Sequence, residues 1–153
     1  MRFRLALAIF VAVALSITGL SSPAQAADGV PTGCTNARQV GPTVKVRDSG
    51  WTLASVKLYR GRCNGATKKW AYVYIWKSLV DTNMDYRVTA AIIAPDASGP
   101  PTKGMRTGKR PRRQFFSFPI RAPGSCVSAV GVVRYLKSDG IWGSAQARTP
   151  AQC

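Results

Sequence analysis

The feature that most constrains the fold of this chain is a series of short segments that follow the two-residue period of a β-strand. In "LASVKLY" (53–59), Ala54, Val56 and Leu58 share one face, because successive side chains of a strand point to opposite faces. Four further segments alternate in this way or are rich in β-branched and aromatic residues, which favour strands: 69–77, 87–94, 114–120 and 128–136. After the first 26 residues no helical period continues over ten residues, so the pattern predicts an all-β chain.

Turn signals separate the predicted strands. The tripeptide "SDG" (138–140) indicates a hairpin turn that leads into a last strand at 141–147. The full chain has ten prolines and fourteen glycines, spread between the strand segments. This arrangement favours a small β sandwich or barrel over any helical fold.

The first 26 residues have the pattern of a secretory signal peptide. Arg2 and Arg4 precede an apolar stretch over 5–20, and "AQA" (24–26) supplies the small residues that signal peptidase reads. The apolar stretch is shorter than the roughly 20 residues of a membrane-spanning helix. We therefore predict cleavage after Ala26, a secreted extracellular protein without a transmembrane segment, and one β domain over 27–153.

Four cysteines lie in the predicted exported part: Cys34, Cys63, Cys126 and Cys153. An even number in a small secreted chain predicts two disulfides. Of the three possible pairings we favour Cys34–Cys63 with Cys126–Cys153, since each then closes one half of the chain. Zinc is the alternative, but no C-x-x-C spacing is present and an exported chain meets an oxidising environment.

The charged residues restrict the chemistry available to the chain. The 22 Lys and Arg residues outnumber six acids, all of them Asp, and there is neither His nor Glu. Without the two basic residues of the signal peptide, the net charge of +16 becomes +14. The lack of His excludes Ser-His-Asp and Cys-His catalysis as well as His-ligated zinc. We expect a protein that is not an enzyme and needs no cofactor or metal.

Basic residues are concentrated in a Pro- and Gly-rich segment, 95–113, that we predict to be a loop. Its six cations are Lys103, Arg106, Lys109, Arg110, Arg112 and Arg113. Such a cluster is typical of a site that binds a polyanion through its charge. The alternatives are a solvated loop that keeps the protein soluble and a proteolytic site at Arg112-Arg113.

The segment "WAYVYIW" (70–76) places four aromatic residues on one face of a strand: Trp70, Tyr72, Tyr74 and Trp76. If exposed, this face would be a platform on which sugar rings or unpaired bases stack. If buried, it is part of the core, and for most of the face we expect burial.

The segment "DTNMD" (81–85) spaces Asp81, Asn83 and Asp85 as calcium loops of the D-x-[DN]-x-[DN]-G type do. Tyr86 replaces the turn glycine, and Ile92 stands where the bidentate Glu belongs. We therefore predict a plain turn rather than a calcium site.

The run "SVKLYRGRCNGATKKWAYV" (55–73) resembles a family of small secreted bacterial domains of unknown function. That family has a strand of the form V-x-L-R-Y-S, then a cysteine, then Trp-Ala. The matching positions here are Val56, Leu58, Cys63, Trp70 and Ala71. Tyr59-Arg60 reverses the family's Arg-Tyr order. The resemblance implies secretion and a disulfide at Cys63, and no activity.

The C-terminal "DGIWGSAQARTPAQC" (139–153) is similar to the tail of secreted proteinaceous α-amylase inhibitors, which are small two-disulfide β sandwiches. Their exposed Trp-Arg-Tyr triplet does not occur in this sequence. The similarity therefore implies an architecture and no inhibitory residues.

Two functions follow as expectations. The first is binding of an anionic cell-wall or extracellular polymer through the basic segment, where Arg grips phosphate or carboxylate in a bidentate way. The alternative is inhibition of a secreted hydrolase by a rigid loop on a disulfide-clamped scaffold. The sequence does not indicate an oligomeric state.

Overall fold

The computed structural model describes residues 29–94 and 102–153. The predicted signal peptide and residues 95–101 of the predicted loop lie outside the described residues. The elements in chain order are β1 Cys34–Asp48, β2 Trp51–Cys63, β3 Ala66–Ile75, α1 Lys77–Val80, β4 Tyr86–Ile93, β5 Thr102–Lys109, β6 Gln114–Phe116, β7 Ser128–Leu136 and β8 Trp142–Arg148.

The strands form two antiparallel four-stranded sheets packed face to face. The first sheet has the order β1-β2-β3-β6 and the second the order β5-β4-β7-β8. Across the sandwich β1 lies against β8, β2 against β7, and β3 against β4 and β7. The prediction of an all-β, disulfide-stapled sandwich is confirmed.

Side chains from the inner faces of both sheets form the core. Val56 and Val73 of the first sheet and Val88 and Val133 of the second are fully buried, and each contributes about 1.5–3 kcal/mol by leaving water. Gly131 of β7 allows the two sheets to approach, because a Cβ there would lie 2.6 Å from Val56 Cγ2. The core therefore depends on a residue with no side chain at this contact between the sheets.

Six of the eight strands coincide with segments that the sequence predicts. The segment 128–136 matches β7 in full, whereas 114–120 ends as a strand at Phe116. The predicted hairpin is also present: the N–H of Gly140, at a φ of 79°, donates to Lys137 O at 3.0 Å before β8 begins. The short helix α1 and the strands β1 and β5 were not predicted.

The prediction that 95–113 is a loop is wrong for residues 102–109, which form β5. This strand pairs antiparallel with β4 from Ile93↔Thr102 to Arg87↔Lys109. The pairing satisfies main-chain groups of β4 that would otherwise be left without partners. Charged side chains are a common way to protect an edge strand from pairing with other molecules, so a basic composition and a strand are compatible here.

Both disulfides have the favoured pairing, Cys34–Cys63 and Cys126–Cys153. Cys34 and Cys63 are directly opposite each other on β1 and β2. Cys126 and Cys153 flank the isolated bridge between Val127 and Gln152. Each disulfide therefore ties a segment next to a sheet edge to the body of the domain. The described residues contain no helix with the length and apolarity needed to cross a membrane.

Candidate functional site

The six predicted polyanion-binding cations do not form one surface. Along β5 successive side chains point to opposite faces, so Lys109 lies on the outer face of the second sheet while Arg106 faces the seam between the two sheets. Lys103 is half-buried, opposite Ile92. The other three basic residues follow β5, in the turn that leads to β6.

Arg110 and Arg113 have structural partners. Arg110 donates to the carbonyl and the side-chain oxygen of Asn83, the latter at 2.6 Å. Arg113 donates to Ile75 O through Nε and Nη2, both at 3.3 Å, and its guanidinium lies 5.0 Å from the centre of the Tyr74 ring. These two arginines therefore fasten the turn to the rest of the domain, which limits their part in ligand binding.

The outer face of the second sheet brings three cations into one row. Lys109 of β5 is opposite Arg87 of β4, and Arg87 is opposite Arg134 of β7. Opposite residues of neighbouring strands have side chains on the same face, about 5 Å apart at their Cβ atoms. The row therefore crosses three strands, a span of about 10 Å. We call Lys109, Arg87 and Arg134 the cationic row.

The row continues into an aromatic side chain on β8. The guanidiniums of Arg87 and Arg134 lie 5.4 and 5.8 Å from the centre of the Trp142 ring. These distances are within the range of cation–π attraction. Trp142 is 38% exposed, so the indole helps to hold both guanidiniums and is still accessible to a ligand.

No described acid neutralises the cationic row. Asp81 is paired with Lys77 at 2.6 Å, and the Asp48 carboxylate accepts a hydrogen bond from Tyr135. The side chains of the row have neither a hydrogen bond nor an ion pair to another described residue. Like charges opposite each other repel. An anion bound at this face would relieve that repulsion, so the face favours anion binding.

The Asp48–Tyr135 hydrogen bond joins the end of β1 to β7 across the sandwich. The Tyr135 hydroxyl donates to the Asp48 carboxylate. This bond raises the pKa of Tyr135 to about 12 and lowers the pKa of Asp48 below its usual value. The pair is a structural contact between the sheets, and both groups keep their ordinary charge states at neutral pH.

A groove follows the seam between β5 and the segment 114–119. The edges of the two sheets meet where the Phe118 N–H donates to Gly104 O at 2.7 Å. Beside this contact lies a cavity of about 460 Å³. Its lining includes Arg106, Arg112, Phe116, Phe118 and Thr32. We call this cavity the seam groove.

The four aromatic residues of 70–76 differ in exposure. The opposite face of β3, with Ala71, Val73 and Ile75, faces the core. Trp70 is fully buried, and its Nε1 donates to Gly29 O at 3.0 Å. Tyr72 is 5% exposed and packs on Phe116 at 5.3 Å between ring centres.

The expected burial is confirmed for Trp70 and Tyr72, which residues near Gly29 and β6 cover. These two rings therefore cannot belong to an exposed stacking face, and the stacking alternative is wrong for them. Tyr74 is half-buried beneath Arg113. Trp76 is 37% exposed, follows the end of β3, and has Lys45 Nζ 5.1 Å from its ring centre. A continuous flat platform of four rings does not form.

The predicted turn at 81–85 has the expected character. Asp81 pairs with Lys77, and Asn83 has the left-handed φ of 56° that suits a turn. Within residues 29–94 and 102–153 no three Asp or Cys side chains come together as potential metal ligands.

A further cavity, of about 550 Å³, is lined by Arg60, Lys69 and Arg121 among others. The Lys69 ammonium donates to Gln152 O at 3.1 Å, Cys153 O at 3.2 Å and Ser125 O at 3.4 Å. Lys69 therefore stabilises the two segments that the Cys126–Cys153 disulfide joins, and it does not present its charge to the cavity.

Sequence reasoning missed Arg87, Arg134 and Trp142. The local signal for both arginines is an outward position between two buried residues of a strand. Arg134 lies between Val133 and Tyr135. Arg87 lies between Tyr86 and Val88. Strand register, which brings the three residues together, is a long-range property. No protein-family model, curated protein or solved structure matches this chain. The resemblances drawn from the sequence therefore stay predictions.

Proposed function

We propose that this chain is a secreted, non-catalytic protein that binds an anionic polymer through the outer face of its second sheet. One observation carries the proposal: Lys109, Arg87 and Arg134 are paired side by side on three neighbouring strands without a described acidic partner. The two disulfides and the predicted signal peptide support a location outside the cell.

The geometry suits a chain of repeating phosphates or carboxylates better than a single small anion. The cations are separated by roughly the distance between strands, about 4.8 Å, so a polymer that crosses the strands meets one cation after another. Arg87 and Arg134 offer planar guanidiniums that bind such groups in a bidentate way. Binding releases counterions from the polymer, and its affinity should therefore fall steeply with salt.

The proposal is tested by measuring binding to long-chain polyphosphate and to polygalacturonate at about 50 and 500 mM salt. We expect tight binding at the lower concentration. The double variant Arg87→Gln/Arg134→Gln should bind more weakly, with a slope of log affinity against log salt smaller by about two. The polyphosphate and polygalacturonate arms distinguish phosphate from carboxylate as the preferred group.

The control is the double variant Arg38→Gln/Arg47→Gln, which removes the same charge from two exposed arginines on β1 of the other sheet. Equal losses in the two double variants would mean that net charge, and not the cationic row, determines binding. Binding to neither polymer would reject the proposal. Inhibition of a secreted hydrolase would then be the leading prediction.

A further inference from the structure

The seam groove lies next to the cationic row, on the other side of one strand. Thr107 and Lys109 of β5 face the outer surface of the second sheet, and Arg106 points toward the seam. As β5 is the edge of its sheet, a polymer can pass around this edge and contact both surfaces. The groove is therefore placed to bind one unit of a polymer that the cationic row also contacts.

Two guanidiniums in the groove are available to an anion. The side chains of Arg106 and Arg112 have no hydrogen bond or ion pair to a described residue. The Arg112 main chain is fixed, because its carbonyl accepts a hydrogen bond from the Tyr86 hydroxyl at 2.8 Å. Arg106 is oriented by the ring of Phe118, 5.6 Å from its guanidinium carbon. The fold therefore orients the Arg106 guanidinium and fixes the main chain of Arg112, and neither guanidinium is paired within the described residues.

The groove also has a surface for a ring. Phe118 is 57% exposed, so its ring is accessible to a ligand in the groove. Phe116 and Pro119 extend this apolar surface, and Val30 and Pro31 line the cavity with them. The exposed hydroxyl of Thr32 lies in the same lining. Cations, an apolar plane and a hydroxyl thus meet in a single cavity.

We propose that the seam groove binds an acidic sugar unit, and that the polymer is accordingly an acidic polysaccharide; this rests on the proposed function. A uronic acid ring presents all the complementary groups at once: a carboxylate for Arg106 and Arg112, a C–H face for Phe118, and hydroxyls for Thr32. Polyphosphate has no ring for Phe118. In a nucleic acid the anion and the stacking base belong to different parts of the unit.

The experiment measures binding of trigalacturonate, maltotriose, tripolyphosphate and a thymidine oligonucleotide by calorimetry, with amide chemical shifts to locate the site. We expect trigalacturonate to bind more tightly than maltotriose or tripolyphosphate and to shift the amides around Phe118. Phe118→Ala should weaken trigalacturonate binding by about tenfold, the size of a lost stacking contact. Arg106→Gln/Arg112→Gln should weaken it at least as much.

The matched control is Trp51→Ala, which removes an equally exposed aromatic side chain, 56% against 57%, from a strand end outside the groove. Phe118→Leu keeps an apolar side chain and tests the ring itself, so it should resemble Phe118→Ala. Polyphosphate binding should be insensitive to Phe118→Ala and sensitive to Arg87→Gln/Arg134→Gln.

Three results would overturn the inference. If Phe118→Ala bound trigalacturonate as tightly as wild type, charge alone would be recognised. The same would follow if tripolyphosphate bound as tightly as trigalacturonate. Phe118-dependent binding of the oligonucleotide in preference to trigalacturonate would assign the groove to nucleic acid. In each case polyphosphate binding at the cationic row would still stand, so the failure of this inference is separable from a failure of the proposed function.

Discussion

Arg87 and Arg134 are directly opposite each other on β4 and β7, and both guanidiniums contact the ring of Trp142. Two like charges in this register are unfavourable by a few tenths of a kcal/mol to about 1 kcal/mol. The indole offsets part of that repulsion by cation–π attraction. The arrangement thus gives up some stability of the free protein and gains a concentrated positive charge at its surface.

This relationship predicts that Arg134→Gln stabilises the free protein at low salt. The free energy of unfolding should rise by about 0.5 kcal/mol, because the charge opposite Arg87 is removed. The gain should shrink at about 500 mM salt, where the repulsion is screened. Chemical denaturation at both salt concentrations measures the effect. A variant that is less stable than wild type at low salt would show that the row is not under electrostatic strain.

Polyphosphate should reverse that order of stability. A ligand that binds the folded state raises its stability by mass action, so wild type should gain more in Tm than Arg134→Gln. Thermal unfolding with and without the polymer measures the difference, with Arg47→Gln as the control for loss of one charge. Equal gains in all three proteins would contradict a site at the cationic row.

Gly104→Ala should destabilise the protein more than Gly50→Ala. Both glycines have positive φ, 62° and 83°, so the backbone strain of the alanine is similar. A Cβ at Gly104 would lie 2.4 Å from Phe118 O, while a Cβ at Gly50 has no atom within 4 Å. We expect an additional cost of about 1–3 kcal/mol and a disturbed seam groove. Unfolding of the two variants by denaturant, measured in parallel, checks this difference. Equal losses of unfolding free energy would show that the two sides of the seam can move apart without cost.

Removal of either disulfide should lower stability, with a larger effect for Cys34–Cys63. The separations along the chain are 29 and 27 residues, so the chain-entropy contribution is about 3.6 kcal/mol in both cases. Cys34 and Cys63 additionally pack against the buried Trp70. The comparison is Cys34→Ala/Cys63→Ala with Cys126→Ala/Cys153→Ala in thermal unfolding. A greater loss in the second variant would mean that the Trp70 cluster contributes little.

Tyr135→Phe should make stability less dependent on pH at both extremes. The raised pKa of Tyr135 gives a stabilisation that is fully present below pH 10.0 and is lost as the pH rises through about 12. The lowered pKa of Asp48 gives a second stabilisation of the folded state. It is present above pH 3.8 and is lost as the pH falls through the lower pKa that Asp48 has in the folded protein. Unfolding free energies across pH test this, with Tyr74→Phe as control. An unchanged alkaline limb would disprove the coupling.

Local information in the sequence was sufficient for the central strands. In β2 and β7 apolar residues recur at alternate positions, such as Val56 and Leu58 in β2, because one face of each strand is buried against the other sheet. The strands β1 and β5 were missed because both are mostly exposed, so burial imposes no clear hydrophobic pattern on their residues. The edge strands β6 and β8 were predicted from other signals, the aromatic residues of 114–120 and the turn tripeptide at 138–140.

The sequence by itself determined the all-β class, most strand positions, the positive charge and, through the halves of the chain, the favoured disulfide pairing. Tertiary structure decided that Trp70 and Tyr72 are buried on the face of β3 that points away from the core. It also decided how the cations of 103–113 divide between two surfaces, and that Lys109, Arg87 and Arg134 form a row. The physical reason is the distance along the chain over which each property is determined. Alternation depends on residues that are neighbours in sequence, whereas register and burial depend on contacts such as Asp48–Tyr135, 87 residues apart.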